Sequence, residues 1–391
     1  MSATLLRTWR DVRRRPGEDE EWRASSIELF FDLVFVLVVT QLSELLYEHL
    51  TIAGAARTAF LLLVAWWAWI YTTWGTNWFD PDRGPVRAVL VFAMLASMLG
   101  AAAIPEAFGD RALLLIAGYV GIQSLRNVFM ALATDRRDPL HAPLVRILAW
   151  TLWVGAIWLA GALAGGEARV LLWLVALACD YAGPLAGHWT PGLGRSRPSD
   201  WELEPAHFAE RLMLFLIIAL GETIVAAGVT ASHLEPTAAR IGALLVAFGV
   251  AFVLWWLYFD FHAERTLSRL KEAAQARGRL GRDLSYLLIP LVAGIIVCAV
   301  ASRLVIAHPG RVLTHAGVAT LGAGPALFLL GSVAFKLRVY GAYWRKRVIA
   351  LGLVAGATAL ATAVPALAAW TVVLAILMAV AVAEAREVPR V

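Results

Sequence analysis

Apolar segments long enough to cross a lipid bilayer follow one another along almost the whole chain. Of its 391 residues, 60% are hydrophobic and 16% are charged, whereas soluble domains have about 45–50% apolar and about 25% charged residues. The excess apolar surface must therefore face lipid. We predict an all-α, polytopic membrane helical bundle of about 12 transmembrane helices. The expected spans are 28–48, 56–78, 86–104, 111–133, 143–164, 168–187, 207–230, 240–262, 284–307, 314–337, 346–364 and 366–383.

Two parts of this assignment stay open. Only Pro365 separates the last two segments, and the Gly-rich stretch 315–325 is a candidate for a loop or a broken helix. The first apolar segment is expected to be retained as a helix, because no small-residue cleavage site follows a short apolar core near the start of the sequence.

The distribution of Lys and Arg predicts the orientation. With the N-terminus in the cytoplasm, 25 of the 34 Lys and Arg fall in inner segments and 6 in outer loops, as the positive-inside rule requires. We therefore expect a multi-pass protein of the bacterial cytoplasmic (inner) membrane with both termini inside. The net charge of +5 is then explained by basic loops facing anionic lipid, so the lipid bilayer, and not nucleic acid, is the expected partner.

A weak internal similarity predicts two halves. Glu28–Leu46 aligns with Glu210–Gly228, and two later segments match in the same order. We expect a cytoplasmic tail at 1–27, a first six-helix half at 28–195 and a second at 196–391. An even number of spans in each half makes these parallel repeats. Aromatic clusters at the membrane interfaces are an alternative source of part of the similarity.

Charged residues inside apolar spans are expensive and mark candidate functional sites. One group is expected near the inner ends of the helices and contains Glu28, Asp32, Arg126, Glu210, Arg211 and Asp260. Such groups can neutralise one another across the bundle, with Arg pairing in bidentate fashion. Either a static ion-pair network or a gate or proton relay would explain the pattern.

A second group is expected deeper in the membrane and would bind a small solute or ion. Its acids are Glu222 and Asp180, and its polar residues are Thr40, Gln41 and Thr223. Asp180 is expected near the middle of its span, beside a helix interruption at Gly183-Pro184 that frees backbone carbonyls. The alternative for each acid is a neutral carboxyl hydrogen-bonded across a helix pair.

The sequence contains no motif for enzymatic chemistry or a cofactor. Its eight histidines are scattered, its two cysteines lie in apolar spans, and no phosphate-binding Gly-rich loop is present. We expect no catalytic residues, no metal and no cofactor. Tryptophan clusters at 66–78 and 255–256 fit packing and interface anchoring, with a ligand cage as the alternative.

Four motifs together resemble the bacterial low-temperature-requirement A (LtrA) family, over residues of about 20 to 380. They are Glu28–Phe35, His207–Arg211, Leu220–Thr223 and Trp255–Asp260. The resemblance implies a polytopic bacterial inner-membrane protein. The resemblance also implies that six motif positions are important, but it implies no mechanism. These positions are Glu28, Asp32, Glu210, Arg211, Glu222 and Asp260.

The functional hypothesis is a secondary transporter, coupled to protons or another ion, with its site between the two halves. The alternative is a non-transporting membrane protein that binds lipid or a partner in adaptation to cold or stress. A membrane-embedded enzyme ranks third.

Overall fold

The computed structural model describes residues 12–14, 23–201, 203–272, 277–341 and 345–386, without the side chains of residues 198, 260–272 and 340. These ranges are helical, with no named strand among them. The helices are α1 (Ser26–Glu48), α2 (Ile52–Trp78), α3 (Gly84–Ala103), α4 (Ala112–Ala133), α5 (His141–Ala164), α6 (Gly166–Leu185), α7 (Pro205–Ser232), α8 (Ala238–Glu272), α9 (Arg277–Leu287), α10 (Ile289–Ala307), α11 (His315–Tyr340), α12 (Arg345–Leu360) and α13 (Ala366–Ala385).

The predicted all-helical membrane bundle is confirmed. In the described part of the chain, eleven helical segments are long and apolar enough to span a bilayer. The expected span at 346–364 corresponds to α12, which has 16 residues and is about 24 Å long at about 1.5 Å per residue. That length is less than the hydrocarbon core of about 30 Å.

The chain forms two compact units by packing. The first contains residues 1–41, 63–212 and 270–283, and the second contains 42–62, 213–269 and 284–391. The predicted halves at 28–195 and 196–391, and their relation as repeats, stay predictions.

In the first unit, consecutive helices from α3 to α6 pack against one another, as short connections between antiparallel helices favour. Residues 12–14 lie along the end of α2, where Arg14 N donates to Trp78 O at 3.1 Å and Asp80 N donates to Val12 O at 2.9 Å. The N-terminal segment is thereby held beside the first turn of α1, as the contact of Arg14 with Glu28 shows.

In the second unit, α10 to α13 pack together, and α10 and α11 approach most closely. A Cβ on Gly294 would lie 2.6 Å from Phe328 N, and one on Gly324 would lie 2.7 Å from Cys298 Sγ. The glycines of α11 thus allow close helix contact, as small residues do in membranes. A loop or break at 315–325 is therefore wrong: α11 is continuous from His315 to Tyr340.

Candidate functional site

Two acids of α1 and two bases of α7 form a buried cluster in the first unit. We name Glu28, Asp32, His207 and Arg211 the acid–arginine cluster. Each pair is separated by four residues, so its members share one helix face. All four residues are almost fully buried, with 0% exposure each. Buried charges are tolerated only when they are paired or hydrogen-bonded, so the bonding within the cluster decides its chemistry.

Arg211 lies between the two carboxylates and bonds them unequally. Its Nη2 donates to Asp32 Oδ1 at 2.7 Å, while its Nη1 is 3.6 Å from Glu28 Oε1. The expected bidentate pairing is absent from this described cluster. Asp32 Oδ2 and Arg211 Nε are buried without a hydrogen-bond partner among the described residues. The pair is therefore only half satisfied, a costly condition in a medium of low dielectric constant.

Aromatic side chains complete the surroundings of this ion pair. The indole nitrogen of Trp69 donates to Asp32 Oδ1 at 2.8 Å, so that oxygen receives two bonds and its partner oxygen none. The Arg211 guanidinium carbon is 5.9 Å from the ring centroid of Trp69 and 6.0 Å from that of Phe31. Both distances are within range of a cation–π interaction.

The hydrogen bonds of Asn77 fix the protonation state of His207. The Glu204 backbone N–H donates to Asn77 Oδ1 at 2.9 Å, so the amide nitrogen of Asn77 faces both Glu204 O and His207 Nδ1, each at 3.1 Å. His207 Nδ1 must then accept, because an amide nitrogen is only a donor. The proton is left on Nε2, which donates to Glu28 Oε1 at 2.8 Å. His207 is therefore neutral in this arrangement.

The second carboxylate oxygen of Glu28 is held from the N-terminal side. It accepts from Ser25 N at 2.9 Å and from Ser25 Oγ at 3.1 Å, while Arg14 Nη2 is 3.4 Å away. Burial lowers the pKa of Arg14 from its usual value, and the negative charge of Glu28 opposes that shift. Glu28 is thus well satisfied, in contrast to Asp32.

Of the other residues predicted for this group, Glu210 and Arg126 bond elsewhere. Glu210 is half-buried and accepts from Ala24 N at 2.8 Å, so it binds the N-terminal segment. Arg126 bonds to uncharged side chains. The Asp260 side chain lies outside those that the structure describes.

Asp180 lies five residues before Leu185, the last residue of α6, and not near the middle of the helix. Pro184 lies within the final turn, so the expected interruption is the end of the helix. Because proline has no N–H, the Asp180 carbonyl lacks its usual i+4 donor. The Asp180 carboxylate accepts at Oδ2 from Tyr119 OH at 2.7 Å and from Trp158 Nε1 at 2.8 Å.

Arg126 belongs to the same polar network as Asp180 but does not touch it. The Gln123 amide nitrogen donates to Tyr119 OH at 3.1 Å, while the Gln123 carbonyl oxygen accepts from Arg126 Nη2. Arg126 also donates to Thr72 Oγ1 at 3.2 Å, and it lies 5.3 Å from the ring centroid of Tyr71. A chain of hydrogen bonds therefore separates the acid from the cation.

A small cavity opens beside this network, and we name it the aromatic cavity. Its walls include Trp67, Tyr71, Tyr119, Trp150, Trp158, Asp180 and His188.

His188 lies at the edge of this cavity and, among the described non-glycine residues, is the one with a positive φ. Its φ is +48°, in the left-handed region, and its N–H donates to Gly183 O at 2.8 Å. The ring stacks on Trp201, and its Nε2 is 2.9 Å from Tyr71 OH. Burial lowers the pKa of His188 to about 3, which keeps the imidazole neutral.

The remaining predicted binding residues lie elsewhere in the helices. In the second unit, Glu222 is buried and Thr223 Oγ1 donates to Leu220 O of its own helix at 2.6 Å. In the first unit, Thr40 and Gln41 are half-buried on α1. Their predicted role as a shared binding site stays a prediction.

The second unit contains a different buried charge group, whose members were not among the predicted site residues. Glu384 of α13 accepts from Lys336 Nζ at 2.8 Å, and from Arg347 Nε and Nη2 at 2.8 Å each. Arg347 Nη2 also donates to Leu257 O at 2.9 Å. This carboxylate is fully bonded, so the triad ties α8, α11, α12 and α13 together as a scaffold.

Several key residues of the first unit were not predicted as site residues. Gln123 is four residues from Tyr119, so helical spacing could have grouped this pair, as it grouped His207 with Arg211 in one motif. No sequence signal could have assigned Trp69 to Asp32 or Asn77 to His207, because those contacts depend on how separate helices pack.

Comparison with known proteins agrees with the motifs. The family model described as bacterial low temperature requirement A protein (LtrA) matches residues 23–382. An uncharacterized protein of Rhizobium meliloti (strain 1021) is 36% identical over 325 residues, which cover 82% of this chain and 79% of that protein. No solved structure matches the chain. The protein, an integral membrane protein by its apolar helices, therefore belongs to the LtrA family.

Proposed function

We propose that this protein is a secondary transporter of the bacterial cytoplasmic membrane, coupled to protons and with both termini inside. One observation carries the proposal: two buried acids in a membrane-spanning helix share a single guanidinium, and one of them keeps an oxygen without a donor among the described residues. Ionisable groups inside membranes commonly form proton relays in pumps and transporters. Both carboxylate oxygens of a purely structural ion pair would be expected to be bonded, as those of Glu384 are.

The cluster has two reasonable protonation states. With Asp32 ionised, Arg211 is drawn to Asp32 at 2.7 Å and is distant from Glu28 at 3.6 Å. With Asp32 protonated, its attraction for Arg211 weakens and the guanidinium can move towards Glu28, which stays charged. Protonation of Asp32 would then move the Arg211 guanidinium from Asp32 towards Glu28. Coupling requires an element with two such states.

His207 limits where the proton can go. To accept a proton at Nδ1, the ring would need Asn77 to turn its amide, which would break both of its bonds to the Glu204 backbone. Asp32 is therefore the proposed proton carrier, and His207 positions Glu28. Glu222, Asp180, Thr40, Gln41 and Thr223 remain the proposed solute-binding residues.

Proton flux in proteoliposomes tests the proposal. Vesicles containing the pH-sensitive dye pyranine are given inward gradients of small solutes, including amino acids, primary amines and organic acids. We expect at least one solute to drive acidification or alkalinisation that empty vesicles do not show, and Asp32→Asn to abolish it. The control is Asp110→Asn, which removes the same charge from an exposed position of the same unit.

Two results would contradict the proposal. No coupled flux with any solute in the panel, from protein that is monodisperse and correctly reconstituted, would remove transport. Coupled flux of normal size in Asp32→Asn would remove the acid–arginine cluster from the mechanism.

A second candidate function, lipid binding without transport, is supported by a groove in the second unit. The groove has a volume of about 390 Å³ and is lined by apolar side chains that include Leu46, Leu62, Ile296, Val297 and Leu327. The hydroxyls of Thr58 and Thr320 at its wall donate to their own helices at 3.0 and 2.6 Å. Such a wall is almost entirely apolar, which suits a lipid acyl chain.

Native mass spectrometry of the purified protein separates the two candidates. Lipid that stays bound to wild type and is displaced in Ala323→Trp, which fills the groove, would support the lipid function. If that variant keeps full proton flux, lipid binding is incidental to transport.

A further inference from the structure

The aromatic cavity in the first unit has the chemistry of a cation site. Its volume is about 20 Å³, which leaves room for about one small polar group. Four helices, α2, α4, α5 and α6, contribute walls, and half of the lining residues, His188 included, have aromatic rings. Aromatic faces carry partial negative charge and attract cations, so the aromatic walls alone favour a positively charged guest.

The Asp180 carboxylate provides the negative charge and has one oxygen to spare. Oδ2 receives both donors, Tyr119 and Trp158, whereas no hydrogen bond to Oδ1 is found among the described residues. No Lys or Arg of the described chain is within ion-pair distance of it. An acid in a membrane helix with a directed but incomplete set of donors is poised to accept a charged ligand.

Arg126 does not fill this role because its guanidinium is engaged on the other side of the network. It bonds to Gln123, Thr72 and Asn127 and covers the ring of Tyr71. Gln123 and Tyr119 lie between it and Asp180. The network thus orients the carboxylate towards the cavity while holding the protein's own cation away.

His188 adds a neutral ring to the cavity wall. It is 1% exposed and lines the cavity. Burial lowers the pKa of His188 to about 3, so the ring carries no positive charge that would repel a cation.

We propose that the aromatic cavity binds ammonium or the charged head of a small primary amine, with Asp180 Oδ1 as the acceptor. A primary alkylammonium group has three N–H donors, as the Lys head group does, and ammonium has four. Neither has an acceptor, so both match an acid surrounded by aromatic walls. Anions are excluded by Asp180. Magnesium and calcium favour sites with several oxygen ligands, and the described residues include no group of three or more His, Cys, Asp or Glu side chains that could hold a metal ion.

The inference rests on the proposed transport function in one respect: the bound amine would be the transported solute. Binding can be measured without transport. Purified wild-type protein in detergent is titrated with methylammonium chloride by calorimetry, and with tetramethylammonium chloride, which has no N–H donor, at equal ionic strength. We expect saturable methylammonium binding and at least tenfold weaker tetramethylammonium binding.

Two variants locate the site. Asp180→Asn should weaken methylammonium binding at least tenfold, whereas Glu167→Gln, which removes an exposed acid from the first turn of the same helix, should leave it unchanged. Trp158→Phe keeps the charge and removes one donor, so several-fold weaker binding is expected. Trp158→Phe tests the site if Asp180→Asn yields no monodisperse protein.

The outcomes separate this inference from the proposed function. The site is overturned if methylammonium shows no saturable binding to wild type, or binds Asp180→Asn or Trp158→Phe as tightly as wild type. If methylammonium binds in this pattern but drives no proton flux, the site stands and its transport role falls.

Discussion

Replacing Arg211 should destabilise the first unit far more than replacing Asp32, and replacing both should recover part of the loss. Arg211→Gln leaves two carboxylates, at 2.7 and 3.6 Å from the former guanidinium nitrogens, buried without that cation. Breaking a buried ion pair by removing one partner costs about 3–5 kcal/mol. Asp32→Asn removes the charge and keeps an oxygen that can accept from Trp69 and Arg211, so about 1 kcal/mol is expected.

The double variant Asp32→Asn/Arg211→Gln should be more stable than Arg211→Gln alone, because Glu28 keeps its bonds to Ser25 and His207. The expected coupling is about 2–3 kcal/mol, within the range found for contacting residues. Thermal unfolding in one detergent at one scan rate measures it. At about 2–4 °C per kcal/mol, Arg211→Gln should melt roughly 6–20 °C lower. The double variant should regain roughly 2–8 °C of this, because the coupling exceeds the cost of Asp32→Asn by about 1–2 kcal/mol. Strictly additive shifts would refute the idea that Arg211 serves Asp32.

Four further predictions follow from single positions. Glu384→Gln should lower the melting temperature of the purified protein by at least as much as Arg211→Gln, since it leaves two buried cations facing a neutral amide; a shift under about 3 °C, roughly 1 kcal/mol, would show that the triad is not a scaffold. Gly324→Leu should abolish monodisperse expression, measured by fluorescence-detected size exclusion, because the new side chain would collide with α10; a normal elution profile would contradict this packing. The pKa of His188 is about 3 in the folded protein and about 6.5 in the unfolded protein. As the pH falls below 6.5, the unfolded protein takes up a proton first, so the folded protein loses stability. About 2 kcal/mol should be lost by pH 5, measured by denaturation against pH, and His188→Asn should flatten that dependence. Glu222→Gln should abolish solute-driven proton flux while leaving folded protein in the membrane; normal flux would remove Glu222 from the mechanism.

The helical architecture was predictable because membrane insertion leaves few choices. Every backbone polar group in the hydrocarbon must be bonded within its own segment, so long apolar runs become helices. The prediction of a loop or broken helix at 315–325 was wrong for a related reason. Glycine is read as a breaker in soluble proteins, but in α11 it provides the close contact with α10, and the membrane keeps the backbone helical.

The acids and bases of the site were predictable, but their partners were only partly so. Glu28, Asp32 and Arg211 were expected together and do meet, since helix spacing and the cost of lone charges limit their options. Arg126 was expected with them but bonds to Gln123 and Thr72. Which helix faces which neighbour is set by packing over the whole unit, and no local pattern records it.

The central claim is that Asp32 gains and loses a proton while the protein stays folded. Infrared difference spectroscopy of the reconstituted protein between acidic and alkaline buffer tests it most directly. We predict a carboxylic-acid carbonyl band that is present in wild type and in Asp110→Asn and is missing in Asp32→Asn. An identical band in Asp32→Asn would contradict the account.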